Sequence, residues 1–389
     1  MHAGRLILAQ VTDFLPMHEF RRCVDRYRGD YRTRRFSCLD QFLCMLFAQL
    51  TYRESLRDIE TCLRSKHSGL YHAGFRGVAA RNTLAKANEN RDWRIWADFA
   101  AVLIARARTL YAREPMVLEL DSAVYAFDST TIDLCLTLFP WAKFRRHKSA
   151  VKLHTLLDLR GNIPCFVHIT SGRVADVKTL DLLPLEPGAF YVLDKGYIDF
   201  ARLYRFTTEM AYFVTRAKCD MDYARRDRRD VDKSTGLRSD QTIFLCGPKS
   251  SQRYPAALRR IAYYSEDLDK RFVFLTNNFS LPALSIALLY KCRWQVELFF
   301  KWIKHYLRIK AFYGTSVNAV KTQVWIAVSV YVLVAIIRKE LRIERSMGEI
   351  LQILSLSLFE NMPILQAFSH EVPQNNMCQD SNQLSLFDL

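Results

Sequence analysis

The sequence predicts a mixed α/β layer fold, interrupted by a mainly β insertion and flanked by a helical N-terminal domain and a helical C-terminal region. Three observations carry this expectation. Short apolar runs with strand-like alternation, separated by turn residues, occupy residues 116 to 216. Further strand-like runs among charged loops fill residues 217 to 280. The two ends of the chain show helical apolar periodicity and few alternations.

Bulk composition narrows the function. Half of the 389 residues are hydrophobic, enough for one large domain or two to three small ones. Fifty-six Lys plus Arg stand against 40 Asp plus Glu, a net charge of +16. That excess favours a polyanionic partner, most simply nucleic acid, although membrane-surface proteins share it. The ten cysteines include no Cys-x2-Cys pair, so neither a zinc site nor a disulfide framework is signalled. A reduced, cytoplasmic protein is expected. No charged-then-apolar leader opens the chain. The longest apolar run, Trp325 to Ile337, has 13 residues. A membrane span needs about 20, so a buried helix is expected there and no membrane partner.

Residues 1 to 115 read as a helical, basic DNA-binding domain. Leu39 to Leu50 is strongly apolar, and Ser55 is a cap candidate for the next helix. Seven arginines lie between positions 21 and 35, interleaved with Tyr27 and Tyr31 and followed by Phe36, Arg53, Arg57, Arg64 and Lys66. This pattern suits a phosphate-tracking surface; a solvated helical face explains the same charges. Arg81 to Arg91, running into Trp93 and Trp96, offers a weak helix-turn-helix signal.

From residue 116 the character changes. Ala123 to Asp128 alternates and ends in a carboxylate before Ser129-Thr-Thr. Leu134 to Phe139 and Ala150 to Leu157 continue the strand signature, Arg160-Gly-Asn162 is a turn, and Ile163 to Ile169 closes a hairpin. A short helix is expected around Ala175 to Leu183, then an apolar strand from Gly188 that terminates in Asp194. Lys195-Gly-Tyr197 turns into another helix, and Tyr212 to Thr215 is a strand. Within the insertion, Arg225 to Asp230 reads as a charged loop, while Thr242 to Cys246, Ile261 to Tyr264 and Arg271 to Leu275 read as strands. Helices follow from Asn318 to Leu341 and from Met347 to Phe359, making 317 to 370 a C-terminal helical region, and 371 to 389 a polar tail.

Between insertion and C-terminal helices lies Tyr290-Lys-Cys-Arg293-Trp-Gln-Val-Glu297-Leu-Phe-Phe-Lys301-Trp-Ile-Lys304-His-Tyr-Leu-Arg308. Read as one helix, its Tyr290, Arg293, Glu297, Lys301, Lys304 and Arg308 share an arc of roughly 80°, beside an apolar face of Val296, Phe299, Phe300, Ile303 and Leu307. A ladder of i,i+4 ion pairs accounts for this arrangement. So does a helix presenting one metal-binding carboxylate and a line of phosphate contacts about 10 Å long.

Three carboxylates therefore stand out: Asp128 and Asp194 where strands run out, and Glu297 on the later helix. Converged, they form an oxygen-lined pocket for Mg2+ or Mn2+, and two such ions act on a phosphodiester. Asp128 and Asp194 also suit turns or caps, and Asp121, Asp133 and Asp158 lie near strands as well.

Asp128, Asp194 and the Tyr290/Arg293/Glu297/Lys304 spacing together resemble the bacterial insertion-sequence transposases of the DDE class that bear the YREK signature. The likeness runs from about Val117 to Arg308. Asp30 to Phe36 and Thr51 to Leu56 are similar to amino-terminal segments of many such transposases. The resemblance implies an RNase H-like core and metal ligation by Asp128, Asp194 and Glu297. It implies phosphate contacts from Tyr290, Arg293 and Lys304, with Lys301 and Arg308 as further DNA contacts on the same face. The implied reaction is cut-and-paste: nicking at terminal inverted repeats, hairpin formation and opening, then transfer of the 3′-hydroxyl ends into target DNA. A β-rich insertion between the second Asp and the Glu is implied too, and 102 residues separate Asp194 from Glu297.

One departure concerns the tryptophan on which relatives stack a flipped base. No Trp occurs between Trp141 and Trp294, leaving Tyr254, Tyr263, Tyr264 or Phe274 as substitutes. His147, Lys148, Lys152 and His154 are candidate DNA contacts or a basic strand edge; Asp176 is a secondary acid or a helix cap. Gln383-Leu-Ser-Leu-Phe387 resembles the peptide by which bacterial proteins dock on the DNA-polymerase sliding clamp. Pairing two DNA ends points to a homodimer, with the apolar helices after Val317 as the candidate contact. The competing expectations are a DNA-binding regulator or inactive remnant without catalysis, and a metal-dependent nuclease without strand transfer.

Overall fold

The computed structural model describes residues 5–77, 79–116, 118, 120–145, 148–307 and 312–369. In chain order, helices α1 (Ile7–Thr12), α2 (Met17–Arg26), α3 (Cys38–Leu50), α4 (Leu56–Ser65), α5 (His67–Leu70), α6 (Arg81–Asn90) and α7 (Arg94–Tyr111) precede the sheet. Strands β1 (Val124–Leu134), β2 (Lys143–Arg145), β3 (Lys148–Asp158), β4 (Ile163–Ser171) and β5 (Phe190–Leu193) lead to α8 (Phe200–Thr208) and β6 (Tyr212–Arg216). Next come β7 (Tyr223–Arg229), β8 (Leu237–Leu245), α9 (Pro248–Arg253), β9 (Leu258–Ser265) and β10 (Lys270–Thr276). Helices α10 (Ala283–Lys291), α11 (Trp294–Tyr306), α12 (Val317–Glu340), α13 (Met347–Ser357) and α14 (Ile364–Ser369) complete the described chain.

Contacts divide these residues into two units. The first draws on residues up to 112, 131–151 and from 299 onward, and is organised by α12. Apolar on all sides, α12 is long enough to cross a membrane, yet 89% of its apolar window is buried against protein. It is the central helix of a core, packed by α3, α6, α7 and α13. Ser316 starts it by accepting the Ala319 N–H. Phe20, Phe42, Trp96 and Phe99 form an aromatic cluster that joins α2, α3 and α7. Ser37 with Asp40, and Ser346 with Glu349, make capping boxes at α3 and α13; Ser55 caps α4. All seven arginines between 21 and 35 are exposed.

The second unit, residues 113–130 and 152–298, holds most of the sheet, whose order is β2-β3-β1-β5-β6-β10-β9-β8-β7, with β4 also paired to β3. The Leu159 N–H donates to Val124 O, so the end of β3 meets the start of β1. β1, β5 and β6 run parallel, and β6 to β7 pair antiparallel through the insertion. This is a mixed α/β sheet consistent with the RNase H-like core. Strand alternation builds two apolar layers. Tyr125, Phe127, Tyr191, Leu193 and Phe213 face Leu203 and Phe206 of α8. Val124, Phe190, Val192, Val214 and Phe274 face Ile286, Leu289 and Tyr290 of α10.

Four local expectations are corrected. Of the expected loop Arg225 to Asp230, Arg225 to Arg229 form the body of β7 instead, paired to β8 with their side chains almost all solvated. A charged end strand lacks the apolar alternation that marks a strand in sequence, and its charges discourage further pairing. Leu134 to Phe139 does not continue the sheet: β1 stops at Leu134, and a turn leads into a 3-10 segment at Pro140–Ala142. Finally, Tyr290 to Arg308 is not one helix. The Cys292, Arg293, Gln295 and Val296 N–H groups reach carbonyls three residues back, at 3.1 Å each, which tightens the chain between α10 and α11. The expected short helix at 175 to 183 is a 3-10 segment, Asp176–Leu182.

Candidate active site

Register assembles the site. Val124, Ala126 and Asp128 alternate onto the face that α10 covers; so do Phe190, Val192 and Asp194, and Tyr212, Val214 and Arg216. Phe127 pairs with Leu193, and Leu193 with Thr215. One step further along, Asp194 and Arg216 stand at the carboxyl ends of β5 and β6, where α/β sheets present ligand-binding groups. Asp128 follows the last residue of β1 that pairs with β5, although β1 does not end there as expected but runs on to Leu134. The chain enters the same corner from α10, bringing Arg293 in the tightened turn and Glu297 in the first turn of α11.

Arg293 is the hub. Its Nη1 lies 2.9 Å from Asp128 Oδ2, and its Nη2 lies 2.5 Å from Glu297 Oε1. Arg216 Nη2 lies 3.1 Å from Asp194 Oδ1, while the Gly196 N–H donates to Asp194 Oδ2 at 3.0 Å. Burial pushes the Asp128 carboxyl up to about 6 against the pull of Arg293 and the Ser129 N–H, and the charges of Asp194 and Glu297 add to the rise. For Asp194, burial is outweighed by the Gly196 N–H and by Arg293 and Arg216, which hold it below the usual carboxylate range. Tyr290 is only 4% exposed. Its ring packs 5.0 Å from Phe274, with the Arg216 and Arg293 guanidinium carbons 5.8 and 5.9 Å from the ring centroid.

Among the described residues, no three His, Cys, Asp or Glu side chains stand close enough to hold an ion as they are. The Arg293 cation instead balances two of the acids. The donor set itself, three carboxylates without thiol or imidazole, suits a hard divalent cation.

A model described as "Transposase DDE domain" matches residues 119–333, more than half of the chain. The chain belongs to the DDE transposase family. Residues 3–76 of this transposase match a second model, described as a domain of unknown function, DUF4372. It is 32% identical over 285 residues to "Putative transposase y4zB" of Sinorhizobium fredii (strain NBRC 101917 / NGR234), covering 72% of this chain and 78% of that protein. It is 28% identical over 252 residues to "Probable transposase for insertion sequence element IS5377" of Geobacillus stearothermophilus, covering 65% of this chain and 66% of that protein. The solved chain "Cryo-EM structure of piggyBac transposase synaptic complex with hairpin DNA (SNHP)" aligns at 12% identity and a TM-score of 0.46, over 98% of this chain and 88% of that one. The transposase is thus an insertion-sequence enzyme of DNA transposition, and its family implies dependence on a divalent metal.

The remaining candidates fall as follows. Lys301 is exposed and Lys304 half-buried, further along α11; Arg308 lies outside the described residues. Lys152 and His154 do not form a basic strand edge, since both are buried on β3, whereas Lys148 is exposed and His147 lies outside the described residues. Tyr254 and Phe274 are each 1% exposed and offer no open ring; Tyr263 and Tyr264 are half-buried. Asp158 accepts the Arg160 N–H in the β3–β4 turn, and Asp121 and Asp133 are exposed. Asp176 does not cap the 3-10 segment with its side chain; it pairs with Lys152 and accepts from Ser129. Sequence reasoning missed Arg216, although the apolar run Tyr212 to Thr215 ends in it as two others end in Asp. A cleft of about 1050 Å³ adjoins Asp194 through Lys195 and Gly196, and its walls include Arg216, Lys218, Arg260 and Arg271.

Proposed function

We propose that Asp128, Asp194 and Glu297 hold two divalent ions, Mg2+ or Mn2+, and that the transposase cuts at the terminal inverted repeats of its element and transfers the 3′-hydroxyl ends into target DNA. The alignment of Asp128 and Asp194 one step beyond the last paired residues of β1 and β5, with Arg293 tying Asp128 to Glu297, is the observation that supports this reading most. Bound there, the ions supply Lewis-acid chemistry at a phosphodiester. The chain's own groups do the rest. Arg293 pairs with Asp128 and Glu297 and Arg216 pairs with Asp194, which aims the acids into one corner, and both arginines are cations suited to scissile phosphates. Tyr290, though assigned by resemblance to phosphates, is buried enough to act by fixing both arginines. Lys301, Lys304 and Arg308 supply phosphate contacts beyond the acids, and the basic cleft beside Asp194 carries DNA backbone away from it.

Two DNA ends call for two copies, so a homodimer is the working assembly. Residues 383–387, the clamp-docking candidate, lie outside the described residues; deletion of 383–389 should abolish binding to the sliding clamp. The transposase works on nucleoid DNA in the cytoplasm. The deciding experiment uses duplexes carrying the element's own ends. Asp128→Ala, Asp194→Ala and Glu297→Ala should each abolish Mg2+-dependent nicking while end binding in EDTA persists. Joining of 3′-ends to a second duplex by the intact chain separates transposition from plain nuclease action. Nicking that survives any of the three substitutions overturns the assignment.

A further inference from the structure

Beside the three acids lies a second polar assembly that the proposed chemistry leaves unused. Ser129, next to Asp128, is tethered at two points. Its N–H donates to Asp128 Oδ1 at 2.8 Å, and its hydroxyl donates to Asp176 Oδ1 at 2.9 Å. Asp176 opens the 3-10 segment that follows β4. Its carboxylate is met by Lys152 Nζ at 3.1 Å, and by His154 Nδ1 at 3.7 Å. Lys152 and His154 are two apart on β3 and so share one face of it, under the carboxylate. The ammonium is nearly buried and also donates to Val174 O at 3.0 Å; the imidazole is fully buried, its Nε2 2.9 Å from Thr170 Oγ1.

A lysine taken out of water on a central strand needs a carboxylate partner, and Asp176 supplies it. Held on that side, Asp176 fixes the Ser129 hydroxyl on the other. Ser129 in turn fixes one oxygen of Asp128 and leaves the other to Arg293. The Asp128 carboxylate is therefore oriented from both sides, and one side is anchored in the sheet interior.

We propose that Asp176, set by Lys152, is a positioning residue that acts through the Ser129 hydroxyl to orient Asp128 for metal binding, an inference that rests on Asp128 being a metal ligand. Groups that orient a ligand from behind commonly set metal affinity by factors of about 10 to 100. A purely structural Asp176, pinning the 3-10 segment to β3, would leave metal affinity untouched once the protein is folded.

The test is Mn2+ binding to the full chain by calorimetry, without DNA, beside melting curves for each variant. Asp176→Ala and Ser129→Ala should each weaken Mn2+ binding about 10-fold or more. The double variant should be no weaker than either single one, because both remove the same tether. Ser129→Thr, which keeps the hydroxyl, should bind within about threefold of the wild type. Should Asp176→Ala fail to fold, the contrast between Ser129→Ala and Ser129→Thr decides alone. Wild-type affinity in Ser129→Ala, or additive losses in the double variant, overturns the proposal. Asp128→Ala serves as the separate control. If it binds Mn2+ as the wild type does, the metal assignment itself has failed, whatever Asp176 does.

Discussion

Arg293 Nη1 stands 2.9 Å from Asp128 Oδ2 while Nη2 of the same guanidinium stands 2.5 Å from Glu297 Oε1, so one cation joins the end of β1 to the start of α11. Its side chain is 13% exposed, and those of the two acids 19% and 21%. Arg293→Ala leaves both carboxylates part-buried without their counter-charge. Breaking a fully buried pair costs about 3–5 kcal/mol; with this much water access about 2–3 kcal/mol is expected. Divalent ions held there, as proposed, would restore the missing charge, so Mn2+ should raise the melting midpoint of the variant more than that of the wild type. Thermal unfolding in EDTA and in Mn2+ measures both effects. A variant as stable as the wild type in EDTA contradicts the account.

Tyr290 supports two arginines at once and packs on Phe274. Tyr290→Phe keeps the ring and its face toward both guanidinium groups, and should change stability by less than about 1.5 kcal/mol. Tyr290→Ala opens a cavity in the layer under α10 and should cost about 3–5 kcal/mol. If Tyr290 instead binds phosphate through its hydroxyl, Tyr290→Phe will lose end affinity at full stability. Denaturant titration alongside DNA binding distinguishes the two.

His154 gives the second unit an acid-sensitive point. Burial lowers its pKa to about 4; Asp176 pulls it upward, while His168 and Lys152 push the same way as burial. Thr170 and Thr179 complete its surroundings. Between about 6.5, the unfolded value, and about 4, the unfolded chain takes up a proton that the folded chain refuses. The neutral imidazole's contribution is thus complete above pH 6.5, falls through that window, and levels off below about 4. Over the whole interval the loss is on the order of 3 kcal/mol. The stability difference between wild type and His154→Gln should therefore shrink by that order as pH falls from 7 to 4. A difference that stays constant with pH argues against a buried neutral histidine.

The candidate acids were legible because each closes an apolar run: Val124 to Phe127 before Asp128, Phe190 to Leu193 before Asp194. Burial on both faces leaves that imprint in sequence. The central helix was legible for a similar reason, since α12 is apolar all round. What could not be read was register. Nothing local says that Arg216 falls in line with Asp128 and Asp194; only the pairing of β5 with β1 and β6 does. The break at Cys292 was hidden because the spacing of Tyr290, Arg293 and Glu297 satisfies an unbroken helix equally well, and no Pro or Gly marks the tightened turn. Lys152 and His154 looked like surface charge because their partner, Asp176, lies two strand lengths away in sequence.

The insertion carries an ion pair with a different dependence. Arg259 on β9 grips Asp240 on β8 through two bonds, Nε to Oδ1 at 2.9 Å and Nη2 to Oδ2 at 2.7 Å, with both side chains at most 4% exposed. The remaining nitrogen donates to Leu281 O at 2.6 Å, tying the sheet to the segment that enters α10. Asp240→Ala strands a buried guanidinium and should cost about 3–5 kcal/mol. Replacing both residues, Asp240→Leu with Arg259→Met, removes the uncompensated charge and should recover much of that loss, although the carbonyls of Leu281 and Asn278 lose their donor. Since the pair lies away from the three acids in sequence and touches none of them, the double variant should keep metal-dependent nicking wherever it is folded. Chemical denaturation of the two variants gives the energies. A double variant no more stable than Asp240→Ala shows that the bonds to Leu281 and Asn278, rather than the charge pairing, hold this part of the sheet.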